Sequence, residues 1–301
     1  MSESRIPERH CKNRSHPTPK KASALPKSQS GCRSESAADK ERKVFAVLLA
    51  FDIGNTNITL GCYEGDRLAV TARLSSDIRR TDDQYAADIF TILSLHGITT
   101  DESDDSIICS VVPALSRSVG EAVKHLIGKP PVVIGPGVKT GLNIKIDNPA
   151  QLGADLVAGA VGAAAKYPLP SVIIDLGTAS TISVLSANGE FLGGAIAAGV
   201  NSTLRALTSN TALLSDTGLE RPEHVIGTNT AESMQSGLVV GAAAMIDGLI
   251  DRMEEELGEP FASVVATGGL AGEVIPCCRR SVITDDRLLL DGLRIIYNKN
   301  R

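Results

Sequence analysis

One pattern constrains the fold of this chain more than any other. A short apolar run ends in Asp-x-Gly followed by Thr and Asn or Ser, and a second strand returns from the turn. It occurs at Val44 to Phe51 leading into Asp52-Ile53-Gly54-Asn55-Thr56-Asn57, and at Val172 to Ile174 leading into Asp175-Leu176-Gly177-Thr178-Ala179-Ser180-Thr181. The two aspartates are 123 residues apart. Each turn is followed by alternating residues and then a further turn: Ile58 to Tyr63 before Glu64-Gly65-Asp66, and Ile182 to Leu185 before Asn188-Gly189. A repeat of strand, polar turn, strand, turn, strand predicts two halves of similar architecture.

The intervening segments predict the rest. Arg67 to Leu74, Ser106 to Val112, Pro131 to Ile134 and Ser263 to Thr267 read as strands. Thr81 to His96 has Tyr85, Ile89, Ile92 and Leu93 at helical spacing, with Thr81 placed as N-cap. Ser116 to Ile127, the Ala-rich Gly153 to Lys166 and a long stretch from Thr230 to Glu256 read as helices. Gly268-Gly269 reads as a turn into a further helix. Strands mixed with helices in this order predict an α/β protein.

Charge divides the chain in two. Residues 1–43 hold 11 Lys/Arg against 5 Asp/Glu, and the remaining 258 residues hold 19 against 30. The first stretch is rich in Ser, Pro, Lys and Arg, so it is expected to be a disordered basic tail. An acidic main body argues against nucleic acid as a partner. No run approaches the ~18 uninterrupted apolar residues of a membrane span. The six cysteines show no C-x-x-C pair and the five histidines no ligand spacing, so no zinc site or disulfide framework is expected and a reducing, cytoplasmic setting is. The chain has no G-x-x-x-x-G-K-[ST] loop, no G-x-G-x-x-G fingerprint and no G-x-S-x-G elbow.

The turns themselves suggest phosphate chemistry. Glycine lets backbone approach a phosphate, while N–H groups and Thr hydroxyls donate to its oxygens. An adjacent Asp suits a hydrated Mg²⁺, which takes one or two carboxylates plus phosphate oxygens. Asp155, in Leu152-Gly153-Ala154-Asp155-Leu156 before an apolar helix, has two readings. It is a helix cap, or a base placed to take a hydroxyl proton.

These segments resemble the type III pantothenate kinases, of the acetate and sugar kinase/Hsp70/actin superfamily. The resemblance runs from about Val47 to Arg301 and rests on ordered motifs. They are LLAFDIGNTNITLG (48–61), RRTDDQYA (79–86), SVVP (110–113), GPGVKTGLNIKIDNP (135–149) and GAD (153–155). IIDLGTASTISV (173–184), GGAIAAG (193–199), VIGTNTAESMQSG (225–237), ATGGLA (266–271) and LLLDGLRIIYNKNR (288–301) follow.

The resemblance implies two ribonuclease H-like (actin-like ATPase) domains in tandem, 44–150 and 151–301, each a mixed five-stranded sheet flanked by helices. It implies ATP-dependent phosphorylation of pantothenate to 4′-phosphopantothenate, the first step of coenzyme A synthesis. It places Asp52, Ile53, Gly54, Asn55, Thr56, Asn57, Ile58, Thr59 and Thr178 around ATP, with Asp52 near Mg²⁺ through water. Asp175 would hold a monovalent cation, K⁺ or NH₄⁺, and Asp155 would be the general base. Ile146, Gly153, Ala154, Asp155 and Leu156 would form the pantothenate pocket, completed by Thr230 from the partner subunit of a homodimer.

The chain departs from the family pattern at four positions. It has Leu156 where Arg is usual, Ile146 where Tyr is usual, Ala198 for Pro and Ser183 for Asp. Losing a guanidinium on the acceptor side removes a charge-assisted contact of roughly 1.5–3 kcal/mol. Leu156 and Ile146 leave open a paralogous kinase with another hydroxyl acceptor, and the basic tail a non-catalytic regulatory protein of the same fold.

Overall fold

The computed structural model describes residues 47–100, 103–209 and 217–301. The expected basic tail, and residues 44–46 of the first expected strand, lie outside the described residues.

The first half opens with a meander of β1 (Val47–Ile53), β2 (Asn57–Glu64) and β3 (Arg67–Ser75). Helix α1 (Asp82–Leu95) follows, with Thr81 and Gln84 forming a reciprocal capping box at its start. Strand β4 (Ser103–Ser110), helix α2 (Pro113–Ile127) and short β5 (Val132–Val133) complete it. The sheet order is β3-β2-β1-β4-β5, with the β1–β2–β3 pairs antiparallel and β1–β4–β5 parallel.

The second half repeats this plan. After α3 (Ala154–Lys166), β7 (Ser171–Leu176), β8 (Ala179–Leu185) and β9 (Glu190–Ala198) form the meander. Helix α4 (Val200–Ser209), α5 (Thr230–Gln235) and α6 (Gly241–Leu257) precede β10 (Ser263–Thr267). The short α7 (Ala271–Val274), β11 (Ile283–Thr284) and α8 (Leu288–Lys299) close the chain. Its sheet order is β11-β10-β7-β8-β9-β6, six strands rather than the five expected. The addition is β6 (Asn143–Ile144), which pairs parallel to the edge of β9. Only two residues long within a Gly-rich segment, it carries no alternation from which a strand is read.

Both central strands are buried on both faces, so alternation decides what each residue meets. Val47, Leu49, Phe51 and Ile53 face the core under α1 and α2. Leu48 and Ala50 face the other way, into a core shared with α3 and α8. Asp52 continues that second row. In β7, Val172, Ile174 and Leu176 join the core under α4 to α6, while Ile173 joins α3 on the opposite face. Asp175 continues the Ile173 row. The helix pair α3/α8 thus lies between the two sheets, and both aspartates point to its side.

The stretch read as one helix from Thr230 is interrupted by a π-helical turn at Ser236–Val240, which contains Gly237 and is followed by Gly241. Thr230–Leu257 is long and apolar enough to span a membrane by length and composition. Its Met234, Leu238, Val239, Ala243, Ile246 and Ile250 are instead buried in the second core.

Candidate active site

The ends of β1 and β7 open into one cleft of about 880 Å³. Asp52, Asp155 and Asp175 all line it, together with Gly54, Asn55, Thr56, Asn57, Thr59 and Thr178.

Each turn is braced from behind. In the first, the Gly54 N–H donates to Asn57 O at 3.0 Å, and Ser76 ties Thr56 O through its N–H (3.0 Å) and Gly54 O through its hydroxyl (2.6 Å). Asn55 and Thr56 are left exposed toward the cleft. In the second, the Thr178 carbonyl accepts from Gly199 N–H at 3.2 Å and from Ser202 Oγ at 2.8 Å. The turns face each other closely: Thr56 Oγ1 and Thr178 Oγ1 are 3.2 Å apart and share a hydrogen bond. Gly268 closes the side of the cleft at the end of β10. Its φ is +97°, and a Cβ there would sit 2.6 Å from both Asp175 Oδ1 and Leu176 N, so only glycine fits.

Asp155 lies in the first turn of α3. The N-cap is Gly153, without a side-chain bond, and Asp155 Oδ1 accepts only the adjacent Leu156 N–H, at 2.8 Å. Asp155 is thus not the N-cap residue, and one carboxylate oxygen holds a first-turn N–H.

Two of the three carboxyl groups are shifted in this setting. Burial, and then the charges of Asp175 and Asp155, push Asp52 up to about 7, while a hydrogen bond with Cys109 opposes the shift. Burial and Asp155 push Asp175 up to about 6. Clustered acids whose ionised forms are disfavoured suit a cation or a proton donor among them. Among the described residues no three His, Cys, Asp or Glu side chains converge tightly enough to hold a bare metal ion. That donor set fits Mg²⁺ carried on phosphate oxygens and water, with one carboxylate in support.

The sign of the pH dependence follows. A carboxyl group whose folded pKa is raised contributes stability below its ordinary 3.8, and that stability is lost as pH rises toward about 7 for Asp52 and about 6 for Asp175. Asp52→Asn is thus expected to raise the Tm at pH 8 by about 5 °C without nucleotide or Mg²⁺. Scanning calorimetry from pH 4 to 8 checks it: the gain grows with pH, and a flat difference contradicts it.

Other expected site residues lie elsewhere. Ile53 and Ile58 turn their side chains into the first core, so only their backbone is available to a ligand. Gly153, Ala154 and Leu156 form the start of α3 beside Asp155 without lining the cleft. Ile146 packs in the core under β8 and β9, near Gly193. Thr230 is exposed at the first position of α5, after its cap Asn229. The cleft also contains residues the motifs do not single out: Thr71 and Arg73 of β3, Ser202 and Arg205 of α4, and Asp286 and Arg287 before α8. The only sequence signal for Arg73 is its place in the alternation of β3.

Comparison with known proteins agrees with this geometry. Residues 48–252 match the family described as type III pantothenate kinase. The chain is 42% identical over 254 residues to the type III pantothenate kinase of Myxococcus xanthus (strain DK1622), covering 84% of this chain and 99% of that protein. It is 41% identical to the type III pantothenate kinase of Moorella thermoacetica (strain ATCC 39073 / JCM 9320), covering 84% and 100%. Among solved structures, the fold is similar to the activator of the 2-hydroxyisocaproyl-CoA dehydratase from Clostridium difficile with bound ADPNP, with TM-score 0.51, 14% identity, and 83% and 93% of the two chains covered. It is also similar to Acidaminococcus fermentans (R)-2-hydroxyglutaryl-CoA dehydratase component A, with TM-score 0.50, 14% identity, and 84% and 97% covered. With two facing Asp-x-Gly turns that each carry a threonine, and a relationship that spans nearly the whole of its relatives, the chain belongs to the type III pantothenate kinase family.

Proposed function

We propose that Asp155 is the general base of this pantothenate kinase, taking the proton of the pantothenate primary hydroxyl as that oxygen attacks the γ-phosphorus of ATP. The bond from γ-phosphorus to the β–γ bridging oxygen breaks, and ADP and 4′-phosphopantothenate leave. The observation that carries this reading is the convergence of Asp155 with Asp52 and Asp175 in a cleft walled by two threonine turns. Phosphoryl transfer asks mainly for positioning and charge neutralisation, with one carboxylate directing the nucleophile.

In this reading Asn55, Thr56 and Thr178 donate to phosphate oxygens from braced turns. Asp52 would hold Mg²⁺ through water, and the ion would supply charge neutralisation at the phosphates. Asp175, buried beside Asp155, holds K⁺ or NH₄⁺. Each cation would offset the burial, and then the neighbouring carboxylate charge, that raise the two acids.

The protein works as a homodimer, with Thr230 reaching the partner's acceptor pocket. Support comes from the exposure of Thr230 outside its own cleft and from the bare apolar side chains Val225 and Ile226 just before α5, 67% and 86% exposed. We place the enzyme in the cytoplasm, with the two halves dividing near residue 150.

The test is ADP release with ATP and Mg²⁺, with and without pantothenate, in potassium and in sodium. Release that requires pantothenate and falls at least tenfold in sodium is expected. Turnover with another alcohol but none with pantothenate would transfer the assignment to a different acceptor, as Leu156 and Ile146 allow.

A further inference from the structure

The kinase reading leaves one charge unaccounted for. The transferred phosphoryl group carries negative charge on its equatorial oxygens, and kinases of other folds meet it with a lysine or arginine. This chain has no P-loop lysine, and the motif residues around the phosphates are neutral or acidic. Three arginines line the cleft: Arg73, Arg205 and Arg287.

Their positions differ. Arg287 is followed by α8 and preceded by Asp286, a carboxylate that also lines the cleft. Arg205 lies on α4, one turn beyond Ser202, outside both sheets. Arg73 alone stands in the strand row that holds Asp52. Asp52 pairs with Thr59 across β1 and β2, and Thr59 pairs with Arg73 across β2 and β3. Residues paired directly across antiparallel strands share a face, so Asp52, Thr59 and Arg73 project into the cleft together. At about 4.8 Å per strand, the Arg73 backbone is roughly 10 Å from that of Asp52. Leu74, its neighbour, faces the core instead. The same end of β3 runs into Ser76, the residue that braces the first turn.

The guanidinium makes no hydrogen bond or ion pair among the described residues, and the residue is exposed. Arg67, at the other end of β3, shows the contrast: it pairs with Glu64.

We propose that Arg73 is a catalytic residue that contacts the terminal phosphate of ATP, supplying from the edge strand the positive charge that the two turns lack. Its planar fork suits two phosphate oxygens at once. Positioned beyond Thr59, it approaches the γ-phosphate from the first sheet while Asp155 approaches the acceptor from α3. The proposal rests on the kinase reading.

The experiment compares wild type, Arg73→Ala, Arg73→Lys and the surface control Arg67→Ala. It measures kcat, both KM values, and equilibrium binding of ATP and ADP. For Arg73→Ala, kcat/KM for ATP is expected to fall by about 10²–10³-fold, the cost of removing one preorganised charge contact. ATP binding should weaken at least fivefold more than ADP binding, and the pantothenate KM should stay within threefold. Arg73→Lys should recover part of kcat, because it keeps charge without the fork. Arg67→Ala should match wild type. Three results overturn the proposal: Arg73→Ala within threefold of wild type, equal weakening of ATP and ADP, or an effect confined to the pantothenate KM. Wild-type turnover in the same series tests the kinase reading separately. If wild type is silent with pantothenate, the ATP-against-ADP comparison still decides the role of Arg73.

Discussion

Replacing Asp155 by Asn is expected to lower kcat by about three orders of magnitude, within the range by which positioned bases accelerate proton transfer. The substitution keeps the shape of the side chain and its hydrogen bond to the Leu156 N–H, since the amide oxygen also accepts. Helix α3 begins at Gly153 with no side-chain cap, so the fold does not rely on the charge. ATP affinity should stay within about threefold, or tighten, because one of the charges acting on Asp52 and Asp175 is removed. Steady-state kinetics with equilibrium ATP binding on the same preparation checks both statements. Activity within tenfold of wild type would remove Asp155 from the role of base. Lost ATP binding would make it a structural or nucleotide-site residue instead.

The second large effect is on stability. The pair α3/α8 fills the space between the sheets, and the helices approach through glycines. A methyl group at Gly292 would overlap the carbonyl oxygen of Ala158, and one at Gly162 would overlap that of Leu288. Gly292 therefore sets how closely α8 lies on α3, and with it where Asp155 stands relative to the first sheet. Gly120 of α2 provides a control: a methyl group there would meet its nearest atom, on Pro131, at an ordinary 3.7 Å. Both changes gain helix propensity, about 1 kcal/mol for Gly to Ala. Gly120→Ala is expected to stabilise by about that amount. Gly292→Ala is expected to lose about 2 kcal/mol net because the backbones must separate, lowering Tm by about 4–8 °C. Thermal unfolding of the two variants side by side decides it, and equal behaviour would contradict a backbone-limited helix crossing.

What was legible in the sequence, and what was not, follows from the range of the signals. The meanders were legible because Asp52 and Asp175 end apolar runs and because Gly65 and Gly189 mark tight turns, both with positive φ. Helix α1 was legible to the residue, since Thr81 and Gln84 are a local chemical device. Strand β10 matched its expected bounds, Ser263–Thr267, because five consecutive buried residues sit between turn formers. Helix α4 was passed over. It carries Ser202, which holds the second turn.

The location of α8 depends on long-range packing that no local pattern encodes. Its Leu290, Leu293 and Ile296 meet β1 and β4 from the first half of the chain. A part-buried polar cluster fixes it there: Tyr63 OH donates to Asp291 at 2.8 Å, and Lys166 Nζ bridges Asp291 and Asp285 at 2.5 and 2.6 Å. None of these four residues is near the others in sequence except Asp285 and Asp291. Arg73 was illegible for the same reason, because its relation to Asp52 exists only through two strand registers. Among the candidate site residues, those on the two turns were found from local chemistry. Asp155 was legible as a carboxylate before an apolar helix, but that Gly153 and not Asp155 stands at the N-cap position is seen only in the fold.

The central claim is transfer of a phosphoryl group from ATP to pantothenate in this cleft. The most direct measurement is ³¹P NMR of wild-type enzyme incubated with ATP, Mg²⁺, K⁺ and pantothenate, with the Asp155→Asn variant run in parallel. The expected result is a new phosphomonoester resonance growing with ADP in equal amounts, present with wild type and absent with the variant. ADP forming without that resonance, or the resonance forming at the same rate with the variant, would contradict the account.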